Sequence, residues 1–301
     1  MTTFTVIITN YNYGRFVCEA VDSVLAQTRQ ASQILVVDDG SSDGSPTLLV
    51  EHYAEHPQVQ LLLGENGGQL AAFQRGVAAA KADVVCFLDA DDHWGPDYLA
   101  KIGAVYDQRK DVGFVFSDIQ LFDREKGSIG FATKAVDLGY TAICTYALTY
   151  WYGAPTSALS LRRRYAQLCM DLPPSIVAGW RLSADNCLVF GASIFGARKY
   201  YLPTSQVGYR IHGDNGWWAK QDRTSVFTSL LQSRGLIGHY ARAAGLDDSC
   251  LELAKLEYRT KSTPDWAEAR RYINLCWRAR LPWWKRLERV ISVLRSRKYR
   301  I

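Results

Sequence analysis

The chain has 301 residues, of which 48% are hydrophobic and 22% charged. That is the composition of an ordinary soluble globular protein, long enough for one large or two modest domains. Its net charge of +5 is concentrated at the end: Pro282–Ile301 carries Lys285, Arg286, Arg289, Arg295, Arg297, Lys298 and Arg300 against Glu288, and Met1–Leu281 sums to about −1. Seven scattered cysteines with no C-x-x-C pair argue against a disulfide framework or a zinc site, and for free thiols in a reducing, cytoplasmic compartment.

Short apolar runs alternate with helical patterns. Phe4–Thr9 reads as a first strand, followed by the turn signal NYNYG and a helix marked by Val17, Val21, Val24 and Leu25. Gln33–Asp38 is a second strand closed by DGSSDGS, and Leu48, Leu49 and Tyr53 mark a helix. Val59–Leu63 is a third strand, the alanine-rich run 68–81 a helix, Asp83–Leu88 a fourth strand, and Val112–Phe122 holds further strand. Fully apolar strands separated by helices predict a mostly parallel α/β sheet covered on both faces, with the loops after its strands on one edge. That edge collects TNYN, DDGSSD, GENGG and DADD, an acidic, glycine-rich rim.

The pattern loosens after Gly127. The uncharged stretch Leu138–Leu161 contains Gly139, Gly153 and Pro155, and reads as a buried helix plus loop rather than a membrane span. The segment 179–196 reads as helix, 199–218 as two short strands and a loop, and the chain from Lys220 onward as helix broken near Gly245 and Pro264.

Clustered carboxylates prefer a cation, and hard divalent ions such as Mg²⁺ or Mn²⁺ take one or two carboxylates plus substrate phosphates. Asp89, Asp91 and Asp92 crowd one turn. Asp92 serves equally well as support for an ion or as a cap on the helix near Pro96.

The runs VIITNYNYGRFVCEAVDSVLAQT, ILVVDDGSSDGS, ENGGQLAAFQRGVAAAKADVVCFLDADD and YRIHGDN, in this order and spacing, resemble glycosyltransferase family 2 on the GT-A fold, across about Phe4–Trp217. The resemblance implies an inverting enzyme that moves a sugar from a UDP- or dTDP-linked diphosphate donor to a hydroxyl of a saccharide or lipid-linked acceptor, with Mn²⁺ or Mg²⁺. It implies Asp91 at the metal, Asp89 at the ribose or a metal-bound water, and His212 near the metal or diphosphate. It implies Asp38 or Asp39 at the base's imide N–H, with Asp39 preferred. Thr9 and Tyr11 would flank the base, with Gly68 beside the nucleotide. Asp185, in RLSADNCLVF, stands where the family keeps its general base. Thr156 and Ser157 fall in the acceptor region, where they either touch an acceptor hydroxyl or, as the reading to prefer, hydrogen-bond within the loop, and Arg210 would pair with phosphate or with carboxylates on the Asp185 side. Family members often carry arginine and asparagine where this chain has Phe73 and Gln74; Arg75 lies nearby but in a different helical phase, at about 100° per residue.

The implied organisation is a GT-A domain over 1–220, with a nucleotide-sugar half to about 125 and an acceptor half from 126, then a helical extension over 221–301. Trp283, Trp284, Leu287, Val290, Ile291 and Leu294 form one apolar helical face among basic residues. Such a helix either docks on the domain or lies on an anionic membrane, as a peripheral protein would. No motif suggests nucleic acid. A sugar nucleotidylyltransferase would need a glycine-rich N-terminal loop with lysine, which TNYNYG lacks. A non-catalytic binder would be expected to have lost the aspartates.

Overall fold

The computed structural model describes residues 1–213 and 223–298. Asp214 and Asn215, which close the YRIHGDN run, and the boundary near residue 220 lie outside them.

The first half runs β1 (Phe4–Asn10), α1 (Val17–Leu25), β2 (Gln33–Asp38), α2 (Ser45–Tyr53), β3 (Val59–Leu63), α3 (Gln69–Ala79), β4 (Val84–Asp89), β5 (His93–Trp94) and α4 (Tyr98–Gln108). There follow β6 (Val112–Ser117), β7 (Ile119–Asp123), β8 (Gly127–Ile129), β9 (Val136–Gly139), α5 (Ala142–Leu148), β10 (Leu159–Arg162), α6 (Arg163–Met170), α7 (Pro174–Gly179), α8 (Asp185–Ile194), β11 (Arg198–Leu202) and β12 (Val207–Ile211). Four helices come last: α9 (Arg223–Ala243), α10 (Ala254–Arg259), α11 (Trp266–Arg278) and α12 (Trp283–Lys298).

An eight-stranded sheet has the order β3-β2-β1-β4-β10-β6-β11-β9. Strands β1 to β4 are mutually parallel, so the loops after them emerge on one edge, as the apolar runs predict. The β1 side chains are buried throughout, as a strand covered on both faces requires. Strand β10 enters antiparallel between β4 and β6.

A smaller sheet, β5-β12-β7-β8, positions the rest of the site. The run 112–122, expected to hold further strand, divides into β6 and β7 at Asp118, whose carboxylate accepts the N–H groups of Thr204 (2.6 Å) and Ser205 (3.0 Å). The chain leaves the main sheet there as β7, and β12 pairs in parallel with it. That pairing returns Tyr209, Arg210 and His212 to the loop after β4.

The C-terminal helices share the main core. Tyr240 of α9 donates to the Cys169 carbonyl at 2.7 Å. Glu257 of α10 accepts the backbone N–H groups of Ile143 and Cys144, and Glu268 of α11 accepts the Tyr152 hydroxyl at 2.6 Å. Helix α12 buries Val290 and Val293 and leaves Trp283, Trp284, Leu287, Ile291 and Leu294 exposed. The single apolar face expected for this helix is thus divided: Val290 turns inward with Val293 and the rest stay outside. All seven cysteines are free. No helix among the described residues is long and apolar enough to cross a membrane.

Candidate active site

The rim is first a set of loops tied to each other. Asp38 accepts from the Asn10 amide (2.6 Å) and from the Ser41 hydroxyl (2.7 Å) and N–H (2.9 Å). Asn12, held at a φ of 59°, accepts the Ser42 N–H at 2.7 Å. Asp38 therefore fastens the β1 and β2 loops. Tyr11, between these anchors, is 49% exposed, so its ring is open to a flat ligand rather than packed under the loop.

Asp39 is buried, and organises the glycine pair. It accepts the N–H of Gly67 at 3.0 Å and of Gly68 at 2.7 Å, and pairs with Arg75 at 2.6 Å. Arg75 reaches it although its helical phase differs from that of Phe73. A Cβ on Gly64 would sit 1.8 Å from the Arg75 Nη1, so glycine there opens the path. Phe73 is core, its ring 4.9 Å from that of Phe87, and Gln74 donates to the Met170 carbonyl at 2.8 Å. Gly68, expected beside the nucleotide, answers an internal need: its φ is 87°, and a Cβ would come within 2.8 Å of the Arg181 Cα.

The carboxylates after β4 have three different surroundings. Asp89 accepts the Thr9 hydroxyl at 3.1 Å and the Gln69 amide at 3.0 Å, both on Oδ1. Burial first, then the charges of Asp91 and Asp185, push its carboxyl up to about 7. Asp91 lies 2.9 Å from Nε2 of His212, whose ring is lodged beside Tyr13 and Phe16. Asp92 is buried; it accepts the Ser157 hydroxyl at 2.5 Å and the Arg210 N–H at 2.8 Å. It caps no helix, since α4 begins at Tyr98 after Asp97; it clamps β12 to the 3₁₀ turn at Thr156–Ala158.

Of the two readings for Ser157, hydrogen bonding within the fold is the one seen: its hydroxyl is fully buried, donates to Asp92 and accepts the Asp89 N–H at 3.1 Å. Thr156 is buried on the same turn. Arg210, expected at phosphate or near Asp185, donates instead to the Asp91 carbonyl (2.8 Å) and to Glu19 (2.5 Å), between the rings of Phe16 and Phe122.

Asp185 opens α8, and its Oδ1 accepts the Asn186 N–H at 2.9 Å. Burial pushes its carboxyl up to about 6 against that bond. Gln69 accepts the Ala184 N–H and donates to Asp89, so the start of α8 lies by the end of β4. Tyr209 was not singled out in the sequence. It sits on β12 next to Arg210, and burial first, then the charges of Asp92, Asp89, Asp91 and Asp185, push its phenol up.

Residues 5–165 match the sequence profile of Glycosyl transferase family 2. The chain belongs to this family. An uncharacterized glycosyltransferase of Nostoc sp., alr2836, is 35% identical over 227 residues, covering 73% of this chain and 68% of that protein. The glycosyltransferase GlyG of Streptococcus pneumoniae is 30% identical over 134 residues, 44% of each chain. Among solved structures, Staphylococcus aureus TarS 1–349 in complex with UDP-GlcNAc superposes with a TM-score of 0.58 at 14% identity, covering 98% of this chain and 90% of that one. That likeness establishes the shared GT-A fold, and the family makes this chain a glycosyltransferase.

The donor set of this family 2 domain suits a hard divalent ion delivered with its substrate. Among the described residues no three His, Cys, Asp or Glu side chains form a ready metal cage. Asp91 and His212 are nonetheless adjacent, with Asp89 close enough for its charge to be felt. Magnesium and manganese commonly need no more than this, since substrate phosphates and water complete their shell.

Proposed function

We propose that this glycosyltransferase moves a sugar from a UDP- or dTDP-linked diphosphate donor to a hydroxyl of a saccharide or lipid-linked acceptor, with inversion, and that Asp185 is its general base. The observation that supports this reading is that Gln69 links the residue preceding Asp185 to Asp89, accepting the Ala184 N–H at 3.0 Å and donating to Asp89 Oδ1 at 3.0 Å; burial lifts the Asp185 carboxyl to about 6. A base near neutral pKa stays ionised in use yet holds a proton well enough to help its departure.

Tyr11 offers a face to the pyrimidine, and Asp39 an acceptor for its imide N–H. Both hydrogen bonds to Asp89 fall on Oδ1, which leaves Oδ2 for the ribose or a bound water. Asp91 and His212 would hold a divalent cation, Mn²⁺ or Mg²⁺, which supplies Lewis acidity at the leaving diphosphate. Asp185 takes the acceptor hydroxyl's proton as the new C–O bond forms opposite the departing diphosphate, and the anomeric carbon inverts. TarS has been crystallised with UDP-GlcNAc and with UDP, which favours a uridine donor.

The exposed face of α12 supports a membrane-borne acceptor. Trp283 is 71% exposed and Trp284 55%, and Lys285 and Arg295 are exposed on the same helix. Aromatic rings beside basic side chains suit an anionic lipid surface.

UDP-glucose, UDP-galactose, UDP-GlcNAc and dTDP-rhamnose, each with and without Mn²⁺ and a lipid-linked saccharide extract, test the reading. Metal-dependent release of nucleoside diphosphate with an inverted product anomer is expected. Metal-independent release, or retention at the anomeric carbon, would overturn it.

A further inference from the structure

The Gly67–Gly68 loop and the α7–α8 loop meet at Gln69. Its backbone N–H donates to the Arg181 carbonyl at 3.0 Å. Its side chain then bridges two site elements: Oε1 accepts the Ala184 N–H at 3.0 Å, and the amide nitrogen donates to Asp89 Oδ1 at 3.0 Å. The chemistry fixes that orientation, because a backbone N–H only donates and so demands the oxygen, which turns the NH₂ to the carboxylate. Ala184 immediately precedes α8 and has no side chain with which to cap it. Gln69 supplies the acceptor that the helix start lacks. Ser183 enters this turn at a φ of 56°, a left-handed geometry that needs holding.

We infer that Gln69 is a positioning residue that fixes the start of α8, and with it Asp185, against Asp89, so that base and donor site share one geometry. The inference rests on Asp185 being the base. Only a planar group with a donor at one tip and an acceptor at the other makes this bridge. Glutamate keeps the Ala184 bond but sets a second carboxylate against Asp89; methionine has similar reach and makes neither bond.

The test uses the full chain as Gln69→Met and Gln69→Glu, each alone and with Asp185→Asn. Binding of UDP in Mn²⁺ is measured by calorimetry, and kcat with the UDP-sugar that turns over best among those above. Gln69→Met should bind UDP within about threefold of wild type while kcat falls about tenfold or more, as expected for a misplaced catalytic group. Gln69→Glu should lose at least as much kcat, and it decides alone if the methionine variant does not fold. In the Asp185→Asn background, Gln69→Met should lower kcat by less than about threefold more, since two residues acting through one group are not additive. Unchanged kcat in both single variants, a loss wholly explained by UDP affinity, or full multiplication of the two effects would overturn the inference. Full turnover by Asp185→Asn alone would overturn the base assignment and the inference together, whereas an inactive Asp185→Asn beside a fully active Gln69→Met would sink only the latter.

Discussion

Two regions of this protein bury carboxylates, and they treat them differently. Where α10 and α11 meet the catalytic body, Glu257 accepts two backbone N–H groups and the Tyr272 hydroxyl. Beside it Glu268 is paired with Lys261 at 2.9 Å and also accepts from Tyr152. At the rim, Asp89 has two hydrogen bonds and faces the like charges of Asp91 and Asp185. The first region supplies each buried charge with partners, which is what structure requires. The second leaves negative charge in excess, as expected where a cation and a diphosphate are to complete the balance.

Substitutions should separate the regions. Asp91→Ala has the largest expected effect: UDP in Mn²⁺ should no longer raise the thermal midpoint, because ligand stabilisation follows binding by mass action. An undiminished shift would place the cation elsewhere. Glu268→Ala leaves Lys261 buried without its carboxylate and should cost about 3–5 kcal/mol in urea unfolding, with kcat per folded molecule nearly unchanged. A catalytic loss without a stability loss would erase the contrast between the regions. The pH profile gives the next effect. A base raised to about 6 works only when deprotonated, so kcat/KM, which reports the free enzyme, should fall about tenfold per pH unit below that value and level off above it. A flat profile down to pH 4.5 would remove Asp185 from that role. Smallest is the change to Trp283→Ser with Trp284→Ser: liposomes of anionic lipid should lose the protein at low salt, while stability moves by about 0.5 kcal/mol or less, since both rings are exposed. Equal liposome binding by the double variant would contradict the lipid contact.

The strands of the first half are legible because each is a continuous apolar, β-branched run between turn signals. β2 and β3 span Gln33–Asp38 and Val59–Leu63, as expected. Breaks that depend on distant partners are not legible. Asp118 turns the chain out of the main sheet only because Thr204 and Ser205 offer it N–H groups. The same holds in the site. Asp91 and His212, singled out by type and motif, do come together, 2.9 Å apart. Arg75 is misplaced by helical phase alone, since a long side chain passing over Gly64 spans the difference. Ser157 and Arg210 look like ligand contacts until their partners within the fold are known. A polar residue opening a helix just after a glycine pair, as Gln69 does, was the available signal for the bridge to Ala184.

The central claim is that Asp39, Asp91 with His212, and Asp185 serve one bound nucleotide sugar. A crystal soaked with Mn²⁺ and UDP, measured with anomalous scattering, addresses it directly. The account predicts one manganese peak between Asp91 and His212, with the uracil against Tyr11 and Asp39 and the diphosphate on the Asp185 side of the cleft. A manganese peak away from Asp91, or UDP bound where Asp185 cannot approach it, would contradict it.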